Sequence, residues 1–495
     1  MSVLKFDINW KANCVYALGF FVYTDFLSYS QVSFFVSFVL ILICVLLYVK
    51  NEWLGVQLLL YLLLLSPDHP RDLIENIEIL KSEAQISYYS FITTKILGIS
   101  TSVWSIVCIS FIAILSLIRA ETFRVIVQFR LFFIFILISF FVTLLSTTLD
   151  LNSRDMIDLK LSLSDARLFI VLFVVYFIAL RFCLNYKDKA IDLFVQAMLN
   201  IAVICGLKTV LFLLFDILGG SPKLMLATQP YVFIPLVFAV LLSEIRFNFV
   251  LIGLIILASV KISRGEIAYM IVEILLFVLM TFLLKGRNIN SLVKHYFRGV
   301  STFGFFVVVP IILMAFYNEY LFNFLVYKFR FFSSELWSGE VAMSASTRMY
   351  EFLNILEYQF EHIRALLIGR GFGGYFDFSY VRLPYELGVS DYSEKELSYG
   401  VFFKPHFFIN FTLLKAGIFG FAGYVVLCGA IFVSGLANAK KGSGYSKFLG
   451  LYGVFLFVYS LNMFWLPIQM FICVFVLMLL MNENSRRKNE KRISY

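Results

Sequence analysis

Long runs of apolar residues, separated by short polar stretches, recur along almost the whole chain. Several runs hold about 18 or more nearly uncharged residues, the length a helix needs to cross a hydrocarbon core of roughly 30 Å. Strands of a membrane barrel would alternate apolar and polar positions instead. The pattern therefore predicts about 13 strong membrane-spanning helices. The clearest runs cover residues 31–49, 99–118, 167–182 and 265–284.

A shorter, interrupted apolar run at residues 14–26 predicts either a fourteenth span or a helix in the membrane interface. No small-residue cleavage site follows the polar start, so we do not expect a cleaved signal peptide. Composition agrees with a membrane protein, because 61% of the 495 residues are hydrophobic and 15% are charged. We expect an all-α polytopic membrane protein with about 12–14 transmembrane helices.

Lys and Arg residues gather in alternate short loops, which marks those loops as cytoplasmic. This places the C-terminal end in the cytoplasm. The net charge of +9 then reflects topology, and because the basic residues do not form one stripe we expect no nucleic-acid partner. The basic clusters lie at residues 50, 119–130, 181–189, 246, 285–298, 440–447 and 486–492.

The longest loop on the opposite side covers residues 318–405. Connections beyond about 12–15 residues are commonly functional or disordered. This loop carries a run at 348–369 with apolar residues at helical spacings of three and four, so we expect a folded cap that contains helices. The predicted organisation is a transmembrane bundle at 1–317, a large extracytoplasmic loop at 318–405, C-terminal transmembrane helices at 406–482 and a basic cytoplasmic tail at 483–495.

Motifs for metals, cofactors and nucleotides are lacking. The seven cysteines lie in or beside apolar runs, and the four histidines are scattered along the sequence. There is no CxxC pair, no phosphate-binding loop and no dinucleotide fingerprint. We therefore expect no structural metal, no cofactor and no chemistry driven by ATP.

Ionisable residues instead collect at the predicted outer face. A short outer turn presents Lys261 and Arg264, and Arg348 opens the helical run of the long loop. Arg370 lies in the glycine-rich segment 369–374, where small residues let backbone N–H groups approach a ligand. Arginine suits phosphate oxygens because its planar guanidinium forms paired, charge-assisted hydrogen bonds.

His406, preceded by Lys404, completes this group at the predicted start of a membrane helix. A histidine beside arginines can accept or donate a proton near neutral pH. The arginines and His406 are therefore candidates for binding and transforming a phosphate-containing substrate.

Each candidate also has a simpler explanation. An interfacial arginine such as Arg264 is commonly an anchor that extends to the headgroups. Segment 369–374 has the composition of a plain turn, and His406 suits an interface cap equally well. Lys208 lies within a predicted span, and we expect it to extend to the interface or to pair with Asp216.

The order of these motifs resembles the O-antigen polymerase and O-antigen ligase superfamily of bacterial envelope glycan assembly. That family combines many spans, an outer SRG-like motif, and one long periplasmic loop with an early Arg, a glycine-rich segment and a His before the next span. His406 and Gly417 are separated by ten residues, as in the family's H-x10-G spacing. The resemblance covers about residues 250–435, with its motifs at 263–265, 348, 366–376, 406 and 416–420.

The resemblance implies a metal-independent glycosyltransferase at the periplasmic face of the bacterial inner membrane, acting on an undecaprenyl-diphosphate-linked oligosaccharide. Arg264 and Arg370 would hold the donor diphosphate, with Arg348 assisting the reaction and Lys261 and Lys404 contributing to binding. Besides the bilayer and the lipid-linked glycan, the resemblance makes a chain-length regulator protein a candidate partner.

His406 would deprotonate the acceptor hydroxyl or stabilise the leaving phosphate. The chain departs from the family at Phe407, where Asn is common, and has Asn410 further on. The large loop and the poor agreement outside the core motifs favour a polymerase over a ligase, which would transfer the glycan to the lipid A core. A flippase of the same glycan lipids and a non-enzymatic scaffold are two further candidates; a transporter would be expected to show two similar halves.

Overall fold

The computed structural model describes residues 9–23, 31–66, 91, 94–96, 99–119, 141–148, 159–219, 230–243, 249–259, 264–285, 340–382, 392, 394–460 and 467–493. These residues are mostly helical, with one small antiparallel pair of strands, Lys95–Ile96 and Ile99–Ser100. The helices are α1 Trp10–Val22, α2 Gln31–Lys50, α3 Glu52–Leu65, α4 Thr101–Arg119, α5 Leu159–Tyr186, α6 Ala190–Gly219, α7 Pro230–Leu242, α8 Phe249–Ser259, α9 Arg264–Lys285, α10 Glu340–Glu361, α11 Ile363–Ile368, α12 Glu394–Tyr399, α13 Phe408–Lys441, α14 Gly444–Ser460 and α15 Pro467–Ile493.

Five helical stretches are long and apolar enough to cross a membrane, and three shorter apolar helices accompany them. This confirms a mostly helical membrane protein. The number of spans stays a prediction, because parts of the predicted bundle, including residues 286–339, lie outside the described residues. The five stretches are Val32–Lys50, Thr101–Ile118, Asp165–Leu211, Phe408–Lys441 and Ile468–Arg487, and the shorter helices are Glu52–Leu65, Tyr231–Leu242 and Ile271–Leu284.

Helix α15 is the centre of the bundle. Residues 468–480 are all buried, and the helix packs against α5, α13 and α14. The helix continues to Ile493, so most of the predicted basic tail, residues 483–495, is helical. Ion pairs one helical turn apart support this continuation, because Arg487 lies 2.8 Å from Glu483.

Lys208 of α6 is buried instead of extending to an interface. Its amino group donates a 2.8 Å hydrogen bond to the carbonyl oxygen of Leu65, at the C-terminal end of α3. A cation suits this position because the last carbonyl groups of a helix carry partial negative charge. The side chain of Asp216, the alternative partner, lies outside the described residues.

Helix α13 is interrupted at Gly417, whose φ of 61° and ψ of −159° are not helical. The rings of Phe408 and Tyr424 lie 5.2 Å apart, although sixteen residues of a straight helix would separate their positions by about 24 Å along the axis. The chain therefore turns back at Gly417. Residues 408–416 form a short helical segment of their own, ahead of the longer part of α13, which has exposed apolar side chains along one side.

The described residues between 340 and 407, called the cap below, pack on this short segment. Helices α10 and α11 both contact α13. A small separate core of Ile355, Phe376, Tyr392, Phe402 and Leu414 joins the cap to the segment. The described residues of the cap are folded and include helices α10, α11 and α12. That they belong to one extracytoplasmic loop stays a prediction.

Close helix contacts in the bundle depend on glycine, and Gly206 of α6 gives a test. A Cβ atom at this position would overlap the carbonyl oxygen of Leu254 in α8. We expect Gly206→Ala to lower the apparent melting temperature in detergent, since overpacking of this kind costs about 1–3 kcal/mol. Gly429→Ala is the matched control, because a Cβ atom there would meet nothing within 4 Å. Equal melting temperatures for the two variants would contradict the packing of α6 on α8.

Candidate functional site

The centre of the candidate site is a pair formed by Glu351 of α10 and His406. His406 Nδ1 lies 2.5 Å from Glu351 Oε1, and the backbone N–H of His406 donates to Oε2 at 2.9 Å. Tyr392 donates its hydroxyl to the same Oε1 at 2.6 Å. The Glu351 side chain is 0% exposed, so these donors replace the water that a carboxylate would otherwise bind.

This geometry defines which ring nitrogen of His406 can do chemistry. A carboxylate oxygen only accepts, so it holds the ring proton on Nδ1 and leaves the lone pair on Nε2. A buried carboxylate that orients a histidine in this way is a recurring arrangement for a general base. The His406 side chain is 24% exposed, in contrast to its partner. The pair can therefore accept a proton from a substrate hydroxyl.

Tyr380, another titratable group of the cap, is not suited to that task. Its hydroxyl donates to Glu361, and this hydrogen bond is the main reason why the pKa of Tyr380 is raised to about 12. A base should have a pKa near the working pH. The phenol remains protonated at neutral pH, which leaves His406 as the candidate base.

Arg348 is brought beside His406 by the same helix. Its guanidinium lies 5.2 Å from the ring centre of Phe407, and its carbonyl oxygen accepts a 3.1 Å hydrogen bond from Asn410. Phe407 and Asn410 thus both contact Arg348, one through its guanidinium and the other through its backbone.

Arg370 projects from the glycine-rich loop, residues 369–374, into an aromatic clamp. Its guanidinium carbon lies 4.1 Å from the ring centre of Tyr358 and 4.4 Å from that of Tyr375. Both rings hold the guanidinium by cation–π attraction and so fix the position of this charge. His362 in turn stacks on Tyr358, with 4.3 Å between ring centres.

The backbone N–H groups of the glycine-rich loop do not face a ligand, contrary to our expectation. Gly369, Arg370 and Gly371 donate to the carbonyl oxygens of Ala365, Leu414 and Lys415 at 2.8, 2.7 and 3.0 Å. The three N–H groups that follow donate to Thr147 Oγ1, Asp165 Oδ2 and the carbonyl oxygen of Gly371. The glycines serve close packing between elements, with φ near +75° at three of them. The loop positions Arg370.

A buried ion pair fastens the loop to α5. Lys415 Nζ lies 2.6 Å from Asp165 Oδ2, with the two side chains 0% and 2% exposed. Lys415 also donates to the carbonyl oxygen of Gly374 at 2.5 Å, and Asp165 accepts from the N–H of Gly373 at 2.9 Å. Each charge is thus paired and also hydrogen-bonded to the loop, which is what a buried pair needs in order to be stable.

The structure leaves the other predicted site residues untested. Arg264 is the first residue of α9, and its side chain lies outside the described part of the chain. Lys261 lies outside it as well. Lys404 is exposed, two residues before His406. The structure thus brings Arg348 and His406 together and places Arg370 on the same cap.

Sequence reasoning missed four residues of this site. Lys415 is a charge inside an apolar run, and the rule that such charges are functional or paired, applied above to Lys208, would have selected it. Asp165 lies just before the apolar run 167–182, where the rule does not apply. Glu351 follows Arg348 by three positions on a helix, which places it on the neighbouring turn. Tyr392 carried no signal in the sequence.

Searches of protein-family models, of curated proteins and of solved structures find no match to this chain.

The ion pair between Lys415 and Asp165 yields a prediction. Each single variant, Lys415→Met or Asp165→Asn, leaves the other residue's charge without its ion-pair partner in a buried site. A buried charge that is fully unpaired costs about 3–5 kcal/mol of stability. We expect a lower melting temperature and lower membrane yield for each single variant. The double variant should recover part of that loss, because it buries no charge. A double variant whose loss equals the sum of the two single losses would rule out the pairing.

Proposed function

We propose that the protein is a metal-independent glycosyltransferase that works at the outer face of the membrane on a polyprenyl-diphosphate-linked oligosaccharide. The observation that carries this proposal is the contact between His406 and the buried Glu351, with Arg348 and Arg370 on the same cap. A base oriented by a carboxylate, beside fixed positive charges, fits a reaction in which a hydroxyl attacks and a diphosphate leaves.

In the proposed reaction, His406 Nε2 takes the proton of an acceptor sugar hydroxyl. The hydroxyl oxygen then forms a bond to the anomeric carbon of the donor glycan, and the bond from that carbon to the diphosphate oxygen breaks. The electron pair of the broken bond stays on the leaving polyprenyl diphosphate. Arg348 and Arg370 supply fixed positive charge for this anion.

The favoured acceptor is a second lipid-linked glycan, which makes the protein an O-antigen polymerase of the bacterial inner membrane with its site facing the periplasm. A ligase that transfers the glycan to the lipid A core uses the same chemistry, and the identity of the acceptor decides between the two. The lipid-linked glycan and a chain-length regulator are the proposed partners. The order of the sequence motifs supports this assignment by analogy with the family that the sequence resembles.

A transporter of glycan lipids has one observation in its favour. Glu273 of α9 is fully buried, and neither of its carboxyl oxygens has a hydrogen-bond partner among the described residues. Buried carboxyl groups within spans are common in transporters. The other buried charges discussed above, Lys208 and the pair Lys415 with Asp165, are engaged with backbone groups. They support structure, so the transporter stays the second candidate.

The test uses cells that lack the gene and are complemented with variants of the full-length protein. We expect His406→Ala to abolish the surface glycan ladder, since loss of a general base costs about 10²–10⁴-fold in rate. Glu351→Gln should cause a smaller loss, because an amide oxygen still accepts from Nδ1 but carries no charge. Glu357→Gln is the matched control on the same helix, with an exposed side chain, and should give a wild-type ladder.

The glycan products separate the candidates. A core with one repeat and no ladder indicates a polymerase. Loss of all core-attached glycan with accumulation of lipid-linked polymer indicates a ligase, and lipid-linked repeats retained on the cytoplasmic side indicate a flippase. Normal ladders in both His406→Ala and Glu351→Gln, at normal membrane levels, would refute the transferase.

A further inference from the structure

We propose that the outward face of α10 and α11 lies against the acyl chains of the outer leaflet, so that this part of the cap is embedded in the membrane. The face is called the apolar cap face and consists of residues Met349, Leu353, Leu356, Phe360, Ile363 and Leu367. The sequence predicts a cap over the outer face of the bundle. Contact between the cap and the acyl chains goes beyond that prediction.

The side chains of the apolar cap face are largely exposed, although they are apolar. Met349, Phe360, Ile363 and Leu367 are 54%, 66%, 68% and 42% exposed. Their spacing, with Leu353 and Leu356 between them, repeats every three or four residues and forms one stripe along α10. The stripe continues past the break at His362 into α11. An exposed apolar surface of this extent marks contact with a membrane or with another protein.

The opposite face of α10 is turned toward the protein and carries polar groups. Glu351 and Asn354 are buried there beside Ile355, and both polar side chains are hydrogen-bonded within the protein. A surface helix in water has its polar side outward. Helix α10 instead exposes an apolar stripe and buries two polar side chains, as expected for a helix that has lipid outside and a polar site inside.

Lipid is the occupant because the apolar cap face is continuous with the bilayer-facing side of α13. A Cβ atom at Gly417 would lie 2.6 Å from the carbonyl carbon of Leu367, so α11 touches the beginning of the long part of α13. From there the exposed side chains Ile418 and Phe419 lead to Val425 and Val426. This stripe runs along a helix long and apolar enough to cross the membrane.

Charged residues flank the stripe on one side. Glu357 and Glu361 of α10 are exposed, and at 100° per residue they lie next to the apolar stripe on that helix. A segment with an apolar face and a charged edge suits the membrane interface, where the edge stays among headgroups and water. The inference about lipid contact does not depend on the transferase. Combined with the proposed function, it places the His406 site about one helix diameter from the lipid, within lateral reach of a lipid-anchored diphosphate.

The experiment measures the accessibility of nitroxide labels on the full chain in lipid nanodiscs. Single cysteines replace Phe360, Ile363 or Leu367 in a background with Cys14→Ser and Cys108→Ser, because the other five native cysteines are buried. Relaxation is recorded with dissolved oxygen, which concentrates in lipid, and with a water-soluble nickel chelate. Val425→Cys is the reference for lipid, and Glu357→Cys is the matched reference for water on the same helix.

We expect labels at 360, 363 and 367 to follow the lipid reference, with oxygen accessibility several-fold above that of the nickel chelate. Nickel accessibility equal to that at 357 would overturn the proposal, because the face would then be in water. Low accessibility to both reagents would overturn it too, since a second copy or another protein would then cover the face. The readout needs no activity, so failure here and failure of the transferase proposal are separate results.

Discussion

The docking of the cap depends on three carbonyl groups that lie just before the break at Gly417. The carbonyl oxygens of Leu413, Leu414 and Lys415 accept hydrogen bonds from Gln359 Nε2 and from the N–H groups of Arg370 and Gly371. A buried carbonyl group without a donor costs several kcal/mol in an apolar environment. Because all three donors belong to the cap, these hydrogen bonds join the cap to the short segment 408–416.

The same docking aligns the candidate chemistry. Helix α10 contacts the chain on both sides of Phe408, through Glu351 at His406 and through Gln359 at Leu413. The two contacts follow the same order along both parts of the chain, so α10 and the stretch from His406 to Leu413 run in the same direction. The buried pair of Lys415 and Asp165 then ties the far end of the segment to α5. His406 is held by a frame that is fixed at each end.

The helical membrane architecture could be predicted from the sequence, because apolar runs of spanning length have few alternative structures. The folded cap could be predicted from the helical spacing of residues 348–369. The role of the glycine-rich loop could not, because glycines that approach a ligand and glycines that approach a neighbouring backbone have the same sequence. Only the partners of the N–H groups, such as Thr147 for Phe372, distinguish the two.

The contact between Glu351 and His406 shows a second limit of sequence reasoning. The two residues are 55 positions apart. The helix carries several glutamates, and the sequence does not indicate which of them pairs with the histidine. Burial is what distinguishes Glu351 from the other acidic residues on the second half of α10. Glu357 and Glu361 are exposed, while Glu351 has no exposure at all. A buried carboxylate has to be compensated, and here the compensation comes from His406 and Tyr392. The hydrogen bonds that compensate the buried charge of Glu351 therefore also orient the imidazole ring of His406. Stability and candidate chemistry depend on the same hydrogen bonds.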